Sequence, residues 1–483
     1  MAASLPEDLY FGGIKELNRK LQSREISAVE LVRAFSERLE TIGPRYNAVA
    51  LSLAKPAAKE AKDIDGDLKR QRFRGPLQGI PYGAKDLLAV AKQPTTWGAR
   101  PYAQQVFDED ATVIAKLQKP DAVLIGKLAM IELAGGPDYN SAAASYTGPG
   151  LNPWDPTRWS GGSSSGSGIA VAAGLVTFAL GSETSGSILC PAAFCGVTGL
   201  RPTYGLVSRH GAMALSWTLD KIGPIARSAE DCGLVLQAIA GGDDQDPGSA
   251  GKSFYYAPEF TRDLKMVKVG LATEDIDDWA EPAARPAFQA AYDVIRSMGL
   301  DITEAKLPHF DYDLLIDTII SAEAASIFEP LIVSGKVDEL QDAKQIAAFK
   351  AAIDIPARDY LKAMRVRSLI QSGFRDLLAE VDVLLAPAFY DIAPKINLPF
   401  DQQQDKRPTP KKPGLSALIP AANMAGLPAL CLPCGFANGM PVAIQLVGRP
   451  FTENLLLTIG REFQARTDWH KRRPPVSASP AAA

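Results

Sequence analysis

Two turns rich in serine and glycine flank a short apolar block in residues 159–203, WSGGSSSGSGIAVAAGLVTFALGSETSGSILCPAAFCGVTGLRPT, and no other stretch limits the fold as strongly. Glycine admits positive φ and close backbone approach, while serine supplies a hydroxyl and local hydrogen bonds. Gly/Ser tracts commonly serve as flexible linkers, but the segment between these turns, 169–180, has the composition of a core. The local order reads turn, helix, strand, turn, helix. Residues 166–174 are small and alanine-rich, suited to a helix packed closely on a sheet. Residues 176–181 have the β-branched and aromatic content of a buried strand. Residues 182–187 then form the turn at the strand's end, and Pro191 falls near the start of the next helix, where proline is tolerated. Such a turn presents main-chain N–H groups that can hold an oxyanion. The two turns are expected to form one site.

These residues resemble the amidase signature family, whose usual pattern is GGSSGGS followed by G-S/T-D-T/I-G-G-S-I-R. The first motif stands here as Gly161-Gly162-Ser163-Ser164-Ser165-Gly166-Ser167, the second as Gly181-Ser182-Glu183-Thr184-Ser185-Gly186-Ser187-Ile188-Leu189. Gly199-Leu200-Arg201-Pro202-Thr203 fits the family's G-L/M-K/R-P-T. Gly79, Ile80, Pro81, Lys85 and Asp86 match GIP-x-x-x-KD. Ala122, Gly126, Lys127, Glu132 and Ala134 match a third motif, with Asp121 and Ala129 standing where glycine and asparagine are usual. The resemblance covers nearly the whole chain, most strongly 76–241 and 420–470. It implies an α/β/α fold with a large mixed β-sheet between helices, as one domain over 1–483. Within it, 1–75 is a helical cover, 76–241 the catalytic core, 311–373 a variable substrate-covering region and 477–483 a disordered tail.

The rest of the chain bounds its class. Its 483 residues, 46% hydrophobic and 22% charged, are those of an ordinary globular protein with room for a large core. A net charge of −4 argues against nucleic acid as partner. Residues 1–10 carry no secretory pattern, and the longest apolar run, 169–180, is too short to span a bilayer. Five cysteines suit a reducing compartment, so a cytoplasmic enzyme is expected. The CxxC at Cys431 and Cys434 lacks a second ligand pair and lies in a strand-like stretch, so both read as core cysteines. Residues 26–42 form a helix capped by Ser27 and Glu30, and 56–65 continue as a charged helix. Residues 76–90 hold a strand carrying Lys85, and 111–136 read as helix, turn, strand, helix. Strand, helix, strand follow over 268–308, then helices over 311–373, a buried strand at 381–387, a polar loop at 402–413 and strands at 429–433 and 442–447.

Hydrolysing an amide needs a nucleophile, a proton carrier and a place for the oxyanion. Only His210, His309 and His470 are present, none within the serine-rich turns, which makes a histidine-based arrangement weak. A lysine can serve if burial keeps it neutral, and Lys85 has an apolar, small-residue setting. The resemblance implies Lys85 as base, Ser163 as relay serine after a cis Gly162–Ser163 bond, and Ser187 as nucleophile. It places the oxyanion against the N–H groups of Thr184, Ser185, Gly186 and Ser187. Ser164, Ser165, Ser167, Ser182 and Ser185 are read as turn residues. Glu183 replaces the usual aspartate and Leu189 the usual arginine. Glu183 is therefore expected to pair elsewhere, with Arg201 as candidate, or to face solvent, and the turn's surroundings should be less polar. Met130, Ile188, Leu189 and Trp217 are candidate apolar walls of a substrate pocket. No metal or cofactor is implied.

The expected activity is hydrolysis of C–N acyl bonds in fairly apolar or aromatic small-molecule amides, extending to esters and carbamates (urethanes), by a stand-alone monomer or homodimer that engages neither nucleic acid nor membrane. The alternatives are the glutaminase subunit of a tRNA-dependent amidotransferase and a catalytically silent binding protein. The joint presence of Lys85, Ser163 and Ser187 speaks against the last. Against the glutaminase stands Ser416, at the position of an aspartate those subunits carry before an NLAGLP-like segment. Their carboxylate-binding arginine has no placed counterpart within 311–373, where Arg358 is a candidate.

Overall fold

Strands in the middle of the chain are apolar at nearly every position rather than at alternate ones, a pattern that requires cover on both faces of a sheet. The computed structural model describes residues 5–260, 262–403 and 414–476, and in it these strands form the centre of an eleven-stranded mixed sheet. The strands are β1 (Val49–Ser52), β2 (Pro81–Lys85), β3 (Val123–Leu128), β4 (Phe178–Glu183), β5 (Thr198–Arg201), β6 (Lys221–Ala226), β7 (Lys268–Leu271), β8 (Asp301–Glu304), β9 (Val383–Pro387), β10 (Ala429–Ala437) and β11 (Met440–Gly448). Their order is β1-β3-β2-β4-β6-β5-β10-β11-β9-β7-β8. The central β2, β6, β9 and β11 are buried throughout, whereas the edge strands β1 and β8 are partly exposed. β2 runs parallel to both β3 and β4, and β4 pairs antiparallel with β6.

The helices cover this sheet. Near the N-terminus stand α1 (Ile14–Gln22), α2 (Ala28–Ile42) and α3 (Ala54–Lys69), followed by α4 (Thr112–Gln118), α5 (Ser165–Ala172), α6 (Leu189–Cys195), α7 (Ala229–Ile239) and α8 (Arg285–Ser297). The region 311–373 supplies α9 (Tyr312–Ile327), α10 (Glu329–Val333), α11 (Ala343–Ala352) and most of α12 (Ala357–Glu380), and α13 (Leu418–Ala425) and α14 (Glu453–Arg466) complete the set. The Ser27 cap of α2 forms as expected: Glu30 N donates to Ser27 Oγ at 3.1 Å and Ser27 N to Glu30 Oε2 at 2.9 Å. Ser27→Ala should therefore cost about 1 kcal/mol of stability, read as a lowered denaturation midpoint; an unchanged midpoint would speak against the cap's contribution.

Two elements differ from expectation. The last part of 111–136 is not a full helix but one tight turn, Glu132–Gly135, with Leu133 and Ala134 at positive φ. Tertiary hydrogen bonds draw the main chain away from helical pairing there: Ile131 N donates to Ser163 O, Glu132 N to Ala144 O and Leu133 N to Trp97 O. The strands at 429–433 and 442–447 are longer and form one hairpin, β10–β11, closed by Asn438 and Gly439 at positive φ. The register shift between Pro433 and Gly435 is a bulge that keeps the ladder going. Cys431 and Cys434 lie on β10, buried and unbridged. Most of the loop 402–413 and all of the tail 477–483 lie outside the described residues. Among those described, no helix is long and apolar enough to cross a membrane.

Candidate active site

Parallel pairing of β2 with β4 aligns Tyr82 with Phe178 and Ala84 with Leu180, so both strands end at the same rim of the sheet. Open α/β sheets hold their ligands outside the carboxyl ends of such strands. β2 delivers Lys85 there. β4 delivers Ser182 and Glu183 and continues through the turn 184–188 into α6. The segment 159–164 leads into α5 beside them. Its approach depends on glycine: Gly161 has φ +85, and a Cβ there would come within 2.8 Å of Pro191. At Gly166 a Cβ would stand 2.4 Å from Ala48 O.

The two serine-rich turns meet directly. Ser164 N donates to Ser187 O at 3.3 Å, and Ser164 Oγ donates to Ser182 O at 3.2 Å. Ser167 Oγ donates to Leu180 O and Ser165 Oγ to Ala129 O, so these serines hold the turns. The Gly162–Ser163 peptide bond is cis. Ser163 is fully buried, with its Oγ 2.8 Å from Lys85 Nζ, and Ser182 Oγ lies 2.9 Å from the same amine. Lys85 is fully buried, and burial lowers its pKa to about 7 against the opposing pull of Asp220 and Glu183. A lysine so placed can carry a proton near neutrality. Ser187 follows Gly186 at the head of α6, and among the described residues its hydroxyl has no protein partner. The main-chain N–H groups of Ser185, Gly186 and Ser187 likewise meet no protein acceptor among the described residues. Thr184 is anchored at its side chain, Oγ1 donating to Asp220 Oδ1 at 2.6 Å.

Glu183 pairs with Arg201, Nη1 to Oε1 at 2.7 Å, and both side chains are fully buried. Its Oε2 accepts from Ile188 N at 2.8 Å and Leu189 N at 3.0 Å, and Asn423 Nδ2 donates to Oε1 at 2.9 Å. Burial pushes this carboxyl up, but Arg201 and its hydrogen bonds outweigh that and hold it below its ordinary range. The expectation of less polar surroundings is thus corrected, because Arg201 and Asn423 take up Glu183 in place of the absent arginine at 189, while Asp220 holds Thr184 beside them. Arg201→Ala would leave a buried carboxylate unpaired at the base of the turn and should cost about 3–5 kcal/mol. Chemical denaturation measures this, and a loss under about 1 kcal/mol would contradict the pairing's importance.

A cavity of about 200 Å³ opens beside Ser182 and Thr184. Trp217 lines it. Met130, Ile188 and Leu189 do not; they are core residues without exposure, Ile188 being wedged between Gly181 and Gly199. The corrected wall comprises Leu87, Ala212, Met213 and Leu215, which the sequence reading missed. Ser182 and Asp220 were also missed as neighbours of the site. For Ser182 the signal lay in the shared end of β2 and β4, visible only once their pairing is known. His210 lines the cavity and approaches Glu109 at 3.9 Å, His470 is held by burial at a pKa of about 4, and His309 is exposed. None of the three bonds to Ser163 or Ser187. Arg358 is 76% exposed and lies beside Asp359, while Ser416 is half-buried before α13. No group of three or more His, Cys, Asp or Glu among the described residues is disposed to hold a metal ion.

Residues 30–457 match the family described as Amidase. The chain is 36% identical to a glutamyl-tRNA(Gln) amidotransferase subunit of Carboxydothermus hydrogenoformans, covering 97% of this chain and all of that one. It is 37% identical to the protein of the same name from Moorella thermoacetica, covering 98% and 100%. Among solved structures, the peptide amidase of Stenotrophomonas maltophilia superposes with a TM-score of 0.83 at 30% identity, covering 96% of this chain and 98% of that one.

Proposed function

Since the chain belongs to the amidase family, we propose that it hydrolyses C–N acyl bonds through Ser187, Ser163 and Lys85, acting on neutral amides and carbamates as an isolated chain. The observation that carries this reading is the 2.8 Å approach of a wholly buried Lys85 Nζ to Ser163 Oγ. In the reaction the Ser187 hydroxyl, unpartnered among the described residues, must turn to Ser163 Oγ; neutral Lys85 then takes the Ser163 proton as Ser163 takes that of Ser187, and Ser187 Oγ attacks the carbonyl carbon. The N–H groups of Thr184, Ser185, Gly186 and Ser187 receive the developing oxyanion. Lys85 then passes the proton through Ser163 to the leaving nitrogen and the C–N bond breaks; a water gives its proton to the same pair as it attacks the acyl carbon, and that proton returns to Ser187 Oγ as the acid departs.

A second reading, a glutaminase subunit working within an amidotransferase, is favoured by the names of the curated relatives and their near-complete coverage. Glutamine carries an ammonium and a carboxylate, and a pocket for it needs fixed charges, which discriminate strongly because the wrong substrate leaves them unpaired. Ser416 at the expected aspartate position and the outward Arg358 support the first reading. The two are separated by kcat/KM on the purified chain for glutamine, an anilide and an aryl carbamate. Preference for the aryl substrates is expected; preference for glutamine, or ammonia release from glutamine only with partner subunits, would establish the second.

A further inference from the structure

The cavity beside Ser182 and Thr184 has mostly apolar walls, and its charged members are largely matched with each other. Arg209 pairs with Asp246 at 2.6 Å. Asp220 accepts from Thr184 Oγ1, Leu215 N and Ser216 N. Lys221 also lines the cavity; it is almost wholly buried, its Nζ has no hydrogen-bond partner among the described residues, and burial holds its pKa well below that of an ordinary lysine. An apolar cavity of about 150 Å³ is enough to hold a benzene ring, so the volume of about 200 Å³ found here suits one uncharged ring.

Trp217 stands in this wall with 43% of its surface exposed, the one exposed tryptophan among the described residues. Its main chain, in contrast, is tightly held. Trp217 O accepts from Tyr204 Oη at 2.7 Å and from Arg209 Nη1, whose guanidinium lies over the Tyr204 ring. On either side, Ser216 Oγ donates to Glu323 Oε2 at 2.6 Å and Thr218 Oγ1 to Glu323 Oε1 at 2.8 Å, while Arg367 Nη2 donates to Thr218 O at 2.7 Å. The buried Glu323 on α9 and Arg367 on α12 thus clamp the turn from the 311–373 region. Among the described residues the indole itself stacks on no other ring. A rigid backbone presenting an unpartnered aromatic face to a ring-sized cavity is a prearranged platform for another ring.

We propose that Trp217 is a specificity-determining residue, its indole stacking on a planar aromatic group carried by the amide or carbamate substrate. This rests on the reading of the site as an amide hydrolase and adds the residue that selects its aryl substrates. Acetanilide and benzamide, with a ring on either side of the scissile bond, are compared with propionamide on the parent protein, Trp217→Ala, Trp217→Leu and Trp217→Phe. KM should rise about tenfold in the Ala and Leu variants for at least one aryl substrate, propionamide should change less than about twofold, and Phe should restore most of the loss. Equal losses on all three substrates, or no loss on either aryl amide, would overturn the proposal. Calorimetric titration of acetanilide and benzamide into Ser187→Ala protein, with and without Trp217→Ala, reads the same contact without turnover. Weaker aryl binding on loss of Trp217 supports stacking even if Ser187 proves dispensable, and unchanged binding rejects it even if Ser187 proves essential.

Discussion

Ser187→Ala should lower kcat/KM by about 10⁴-fold or more, the scale on which loss of a nucleophile falls when the rest of its machinery is kept. The expectation follows from where the fold puts this hydroxyl. β4 ends at Glu183, the turn is anchored by Glu183 and Thr184, and Ser187 emerges with neighbouring N–H groups free of protein acceptors among the described residues. Ser163 and Ser182 cannot replace it readily, since both hydroxyls already contact Lys85. Because the Ser187 hydroxyl has no protein partner among the described residues, the variant should keep the parent's Tm. Near-parental turnover in a folded Ser187→Ala protein would remove it as nucleophile.

Lys85→Ala should cost about 10²- to 10⁴-fold in kcat, the range for loss of a positioned general base. The pH dependence carries the finer test. Burial places the Lys85 pKa at about 7, so the neutral amine is scarce below that value and prevails above it. Activity should therefore rise with pH through about 7 and level off, and a profile flat from pH 6 to 9 would contradict the assignment. Linkage gives a stability counterpart. The ordinary lysine value is 10.5 and the folded value about 7, so between them the native state binds fewer protons than the unfolded chain. Stability contributed by this group accordingly increases as pH rises from about 7 to about 10.5. Comparison of the parent with Lys85→Met should show the variant's relative Tm improving as pH falls from 10 towards 7. A pH-independent difference would mean that Lys85 is not perturbed by burial.

Local chemistry made much of this legible in sequence. The capping of α2 by Ser27 and Glu30, the small helix α5, the strand β4 and the turn into α6 each follow from residues within one or two turns of the element they shape. The juxtaposition of Lys85, Ser163 and Ser187 was reachable only through family resemblance, because nothing local tells β2 to lie beside β4. Non-local pairing explains the other misses. Ile188 and Leu189 look like pocket walls beside a reactive serine, but the carboxylate of Glu183 grips their N–H groups and turns both side chains into the core. The segment after Met130 reads as helical until hydrogen bonds to Ser163 and Trp97 are known. Arg201 could be guessed as the partner of Glu183, but Asn423 completes that cluster from 240 residues away.

Acyl transfer is proposed to pass through Ser187 under the control of Lys85. Covalent labelling tests it most directly: the parent and Lys85→Ala proteins are treated with a fluorophosphonate at pH 8, digested, and mapped by mass spectrometry. A single adduct on Ser187 is expected in the parent, with a strongly slowed reaction at the same serine in Lys85→Ala. An adduct on Ser163, Ser182 or another serine with Ser187 unmodified, or labelling at the parental rate without Lys85, would contradict it.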